Sequence, residues 1–190
     1  MKKIFIPAFI AFSIFTACNS NEEKTDSKEV VTEVDGTKQD TTSTGNDGND
    51  VSFALAAADG GMLEVKLGQL AQTNGSSTKV KELGKMMETD HGKAGEELKA
   101  WAAKNNVSLP ATLSQEKQDK YNALAAKKGA EFDKAYAADM VMDHEKDISE
   151  FQAEASGGKN AELKTWATGK LPVLQHHLEM SKMTNDGLKK

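Results

Sequence analysis

The chain has 190 residues, with 24 lysines and no arginine against 29 acids, for a net charge of −5. An acidic balance without the bidentate arginine fork argues against nucleic-acid recognition. The single cysteine, Cys18, excludes an intrachain disulfide framework.

The first element, residues 1–17, is a targeting segment and not part of the fold. Lys2 and Lys3 form a positive start, and Ile4 to Phe15 is apolar apart from Pro7 and Ser13. Such a run is too short to span a bilayer as a permanent helix. It ends in Phe15-Thr16-Ala17-Cys18, which resembles a bacterial lipobox. The resemblance implies cleavage before Cys18 and acylation of its sulfur, by palmitate or a similar chain. Multiple acyl chains anchor stably where one is marginal. The expected location is therefore the bacterial cell envelope, with the membrane as a partner through the lipid. Asn19 after the cysteine points to the outer membrane, facing the periplasm or the cell surface.

Residues 18–49 follow as a tether. From Asn19 to Asn49 the chain holds eight acids, three lysines and no aromatic residue. It cannot bury enough apolar surface to offset its ordering entropy, so a disordered spacer is expected. A flexible chain of this length reaches roughly 30 Å.

Residues 50–190 form the folded domain, and its breaks are legible. Asn74-Gly75, Asn105-Asn106 with Pro110, and Gly157-Gly158 interrupt four helical patterns, and no strand-like alternation lies between them. Helix 1 is expected over 51–73, capped by Asp50, and carries a line of small residues, Ala57, Gly61, Gly68 and Ala71, with Glu64 among them. Helix 2 is expected over 77–104, helix 3 over 115–155 capped by Ser114, and helix 4 over 161–185 capped by Asn160. Pro172 lies inside the last, where it removes a backbone bond and crowds the carbonyl of Thr168. A kink or break is expected there. Four amphipathic helices bury their stripes best as an all-α bundle.

Three of the four histidines interrupt the apolar stripes: His91 in helix 2, His144 in helix 3 and His177 in helix 4. Helix 1 adds Glu64, and Glu88 makes Glu-x-x-His with His91. Residues three apart share a helix face and can hold one ion. Imidazole with carboxylate suits first-row transition metals, so Glu64, Glu88, His91, His144 and His177 are the candidate ligands of a single Fe, Zn or Cu ion. The competing reading is a set of core histidines satisfied by neighbouring carboxylates. The helical methionines are expected to be packing, not a copper box. Asp90 and Asp143 diverge from the histidines beside them and are expected to reach another helix or water. There is no phosphate loop and no serine nucleophile elbow, so no catalytic residue is assigned and an enzyme is not the expectation.

Several motifs together resemble one family. They are Gly60-Gly61-Met62-Leu63-Glu64-Val65-Lys66-Leu67-Gly68, Met87-x-x-Asp90-His91, Phe132-Asp133-x-x-Tyr136 with His144, and Leu171-Pro172-x-Leu174-x-x-His177-Leu178. The combination resembles domain-of-unknown-function family 4142 over about residues 50–186. The resemblance implies a ferritin-like four-helix bundle in an exported bacterial protein and brings no settled activity. Ferritin-like di-metal centres use a Glu from each of two helices and a Glu-x-x-His from each of the other two. Glu64 and Glu88-x-x-His91 match half of that pattern. Val141 and Leu174 stand where the other two glutamates belong, which favours a single-metal site or a polar core.

Two functions follow as expectations. One is a lipid-anchored envelope protein whose bundle is a non-catalytic structural or interaction module of unknown protein partner. The alternative is a transition-metal-binding protein for metal handling or envelope stress protection.

Overall fold

Two aspartates compete to start the first helix. In the computed structural model, which describes residues 47–189, the cap is Asp47. Its carboxylate accepts from the backbone N–H of Asn49 at 2.8 Å and of Asp50 at 3.0 Å. The expected cap at Asp50 is therefore corrected. Asp50 lies inside the first turn, fully buried, because its carboxylate is taken by the start of the last helix, as described below. The readings on residues 1–17, Cys18 and nearly all of the tether lie outside the described residues.

Five helices follow: α1 (Gly48–Asn74), α2 (Thr78–Lys104), α3 (Gln115–Ala125), α4 (Gly129–Gly157) and α5 (Ala161–Gly187). Among the described residues there is no strand. Ser114 caps α3 through Lys117 N at 3.4 Å, and Asn160 caps α5 through Leu163 N at 3.0 Å, as the sequence implies. The expected third helix is not continuous, however. It divides at residues 126–128, where Lys127 N turns back to Leu124 O at 3.0 Å and Gly129 adopts φ +58°. Only glycine takes that left-handed backbone without steric cost. The last helix does the opposite and runs through Pro172 without a break. One lost backbone bond weighs less than the burial of Leu174, His177, Ser181 and Thr184 beyond it.

The bundle is two hairpins laid together, α1 with α2 and α4 with α5, and α3 is a short strap across α1. α1 and α2 touch backbone to backbone at two glycines. A Cβ on Gly84 would lie 2.5 Å from Ala71 Cβ and 2.7 Å from Gly68 O, and one on Gly68 would meet Gly84 O and Glu88 N. This accounts for part of the small-residue line on α1. On the other side, Lys120 of α3 ties the strap to α4 through Asp139 at 2.8 Å and Asp143 at 2.7 Å.

Each hairpin also caps the other. Asp133, near the start of α4, accepts from Ser76 N at 3.0 Å, Ser77 N at 2.9 Å and the Ser76 hydroxyl, just ahead of α2. Asp50, near the start of α1, accepts from Lys159 N at 2.9 Å and Asn160 N at 2.6 Å, just ahead of α5. These buried carboxylates satisfy N–H groups that a helix start leaves orphaned.

Two apolar clusters fill the interior. One joins Leu63, Leu67, Val80, Met87, Phe132 and Met140, and the other joins Ala54, Leu98, Trp101, Ala102 and Leu163. On α2, His91 lies between Met87 of the first and Leu98 of the second. The polar centre therefore sits at the waist of the core.

Candidate metal centre

His144 and His177 are completely buried, and His91 nearly so. Their helices approach from different sides, so the rings meet: centroids lie 5.5 Å apart for His91 and His144, 5.2 Å for His144 and His177, and 5.2 Å for His91 and His177. One ring nitrogen of each lies within 4.8 Å of the others.

The outer nitrogens have clear partners. His91 Nδ1–H donates to Glu64 Oε2 at 2.9 Å. His144 Nδ1–H donates to the Met140 carbonyl of its own helix at 2.9 Å. His177 Nε2–H donates to Asp90 Oδ2 at 2.9 Å. An imidazole that donates through one nitrogen presents a lone pair at the other. Three bare lone pairs are thereby turned inward. His91 Nε2 and His144 Nε2 are 3.4 Å apart, and His144 Nε2 and His177 Nδ1 are 3.2 Å apart.

Lone pairs at that spacing repel unless something positive sits between them. A proton is disfavoured, because burial pushes His91 and His177 down to about 4 each and also lowers His144. A metal ion fits better. Two nitrogens about 2.05 Å from a tetrahedral zinc lie about 3.3 Å from each other. Two of the three spacings here bracket that value, and the third pair, His91 with His177, lies within 4.8 Å. Ligating histidines nearly always give their second N–H to a carboxylate or a backbone carbonyl, and all three do so here.

The structure sorts the other candidates. Glu64 reaches the centre as the partner of His91; its second oxygen has no hydrogen-bond partner and stands 3.6 Å from His144 Nδ1. Glu88 is not brought to the histidines. Its carboxylate is held by Gln69 Nε2 at 2.9 Å and Gln72 Nε2 at 2.7 Å, which lower its pKa. Three residues on a helix leave about 60° of rotation, and here that turns Glu88 toward α1. Asp90 and Asp143 do reach other helices, α5 and α3. His176 is exposed, as its place off the stripe implies. Met87 and Met140 pack in the core.

One residue escaped the sequence reading. Asp147, on α4 one turn beyond His144, lines a cavity together with Glu64 and His91. The pattern His144-x-x-Asp147 is the forward mirror of the Glu-x-x-His spacing and was the available signal.

Burial pushes Glu64 up to about 7, and burial with the charge of Glu64 pushes Asp147 up to about 8. The sign of the pH effect follows by linkage. Between about pH 6.5 and 8 the unfolded carboxyls are ionised while the folded ones hold protons, so folding weakens as pH rises. Below about pH 6.5 unfolded imidazoles take up protons that the folded ones refuse, which opposes the carboxyl contribution down to about pH 4. The metal-free protein is expected to melt a few degrees lower at pH 8 than at pH 6.5. Excess Zn²⁺ should remove the difference, since a cation stabilises both carboxylates. Thermal unfolding with and without EDTA reads this, and a rising midpoint toward pH 8 in EDTA would refute the burial of uncompensated carboxyls.

Fold and site thus define an all-helical bundle with a buried tripod of imidazole nitrogens. The family model described as domain of unknown function (DUF4142) matches residues 35–184, and the chain belongs to that family. No curated protein and no solved structure matches it.

Proposed function

We propose that this domain binds a single transition-metal ion through His91 Nε2, His144 Nε2 and His177 Nδ1, and that its role is metal handling at the cell envelope. The observation that carries the reading is the pairing of every outer ring nitrogen at 2.9 Å while the three inner ones converge. A purely structural core would supply those inner nitrogens with N–H or O–H donors; with every outer nitrogen donating, the neighbours they have at hydrogen-bond distance are one another, at 3.4 Å and 3.2 Å. All-nitrogen coordination suits zinc, copper or iron. Glu64, the Met140 carbonyl and Asp90 fix the ring orientations. Three protein ligands leave a coordination position for water or another ligand.

The test is metal analysis of protein purified without a histidine tag, wild type beside His91→Ala. About one equivalent of metal is expected in the first and a small fraction of that in the second. Equal, negligible metal in both, after exposure to Zn²⁺, Cu²⁺ and Fe²⁺, would end the proposal.

The envelope location rests on the lipobox-like run ending at Cys18. No helix of the described residues is long and apolar enough to cross a membrane, so the acylated cysteine is the proposed anchor. Cys18→Ser should move the protein from the membrane fraction to the soluble one on cell fractionation. Unchanged membrane association would remove the anchor from the account.

A further inference from the structure

Beside the tripod lies a cavity of about 380 Å³ bordered by α1, α2, α4 and α5, within the size range of small-molecule sites. Glu64, His91 and Asp147 line it together with Phe151, Trp166 and Leu174. The helix residues that border it are unusually small. A Cβ added to Gly60, Gly61, Gly92 or Gly95 would meet nothing within 4 Å. Glycine inside a helix weakens it. At Gly68 and Gly84 close packing explains it, but these four have no such contact. What they do is keep the space open.

The charge around that space is unbalanced. Four carboxylates line it, Glu64, Glu96, Asp147 and Glu150, against Lys66 and Lys99. Lys99 is already paired with Glu96 at 2.7 Å, and Glu150 with Lys146 at 3.2 Å. Glu64 and Asp147 make no ion pair with a lysine among the described residues. Glu64 is 2% exposed, its Oε2 is taken by His91 and its Oε1 is buried beside His144, so Asp147 is the unpaired acid left to face the space. The far wall is aromatic. Phe151 and Trp166 lie 5.5 Å apart, and Phe53 stands edge-on to Phe151 at 5.0 Å.

We infer that this cavity binds a small organic cation, a primary ammonium group on an apolar or aromatic body, with the ammonium against Asp147. Carboxylates give an ammonium charge-assisted hydrogen bonds, and aromatic faces attract it through their quadrupoles. A neutral apolar molecule would leave the Asp147 carboxyl without a partner in the cavity. Charge and shape, not the metal, carry this reading, so it stands apart from the tripod.

The probe is 2-phenylethylammonium, with 2-phenylethanol as its uncharged counterpart, titrated by calorimetry into the full chain in EDTA and after zinc loading. Saturable one-to-one binding of the ammonium is expected in EDTA, with the alcohol at least about tenfold weaker. Asp147→Asn should weaken the ammonium about tenfold and leave the alcohol unchanged. Gly61→Leu puts a side chain into the cavity from α1 and replaces none of the histidines. It should abolish binding of both probes while the circular dichroism spectrum stays helical. Equal affinity for ammonium and alcohol would overturn the inference, as would undiminished ammonium binding by Asp147→Asn or by a folded Gly61→Leu. So would no saturable binding to the folded wild type. Because the titration in EDTA needs no metal, negligible metal uptake and absent ammonium binding are separate failures.

Discussion

Gly84→Val should be among the most damaging single substitutions in the bundle. Its new Cβ would lie 2.5 Å from Ala71 Cβ and 2.7 Å from the Gly68 carbonyl. The carbonyl is backbone and the methyl has no rotamer, so neither can swing away. Relief requires α1 and α2 to separate, which loosens the contacts of Leu67, Ala71, Val80, Leu83 and Met87. Overpacking of this kind costs about 1–3 kcal/mol, and opening a buried seam adds to it. A loss of roughly 3 kcal/mol lowers the thermal midpoint by about 6–12 °C at this chain length. Gly95→Ala is the control: its Cβ meets nothing within 4 Å, and replacing a helix glycine there should stabilise by about 0.5–1 kcal/mol. A Gly84 variant that melts with the wild type would mean that the two helices do not meet at these glycines.

Asp133→Ala should cost a comparable amount for a different reason. The carboxylate is 1% exposed and accepts from two backbone N–H groups and a hydroxyl at the entrance to α2. Ser76 is exposed and Ser77 half-buried, so removing the carboxylate leaves some of these donors to water and costs about 1–3 kcal/mol for each group that water cannot reach. Loss of the favourable charge at a helix start adds about 0.3–1 kcal/mol. A total near 3 kcal/mol is expected, read as a lower urea midpoint with an unchanged slope. Asp133→Asn keeps an acceptor and should recover part of the loss. If alanine and asparagine behave alike and near wild type, the carboxylate does not hold the start of α2.

Much of this was legible in the sequence because helical periodicity is a local property. The stripes through Val80, Leu83 and Met87, and through Phe132, Tyr136 and Met140, lie where their spacing implies. The inward placement of His91, His144 and His177 follows from the same stripes. The misses have a common cause, which is that contacts between helices depend on axial register. Single-helix spacing cannot say that Asp90 serves His177, that Glu88 is claimed by glutamines of α1, or that Asp50 is claimed by the start of α5. The break before α4 has a local origin instead. Lys127-Lys128-Gly129 interrupts a pattern rich in alanine, and the glycine there was the available stop signal.

The mutual capping of the hairpins also bears on where the cavity comes from. A shift of 83 residues, from Thr78 to Ala161, carries all of α2 onto α5. It also carries Asp50 onto Asp133, Ser77 onto Asn160 and Glu64 onto Asp147. The halves are thus near-copies in layout, and a copied layout has room for two centres. The imidazoles break the symmetry. The counterparts of His91, His144 and His177 are Leu174, Gly61 and Ala94, and all three line the cavity. The chamber is thus the tripod's counterpart under that shift, with its histidines exchanged for smaller or apolar side chains.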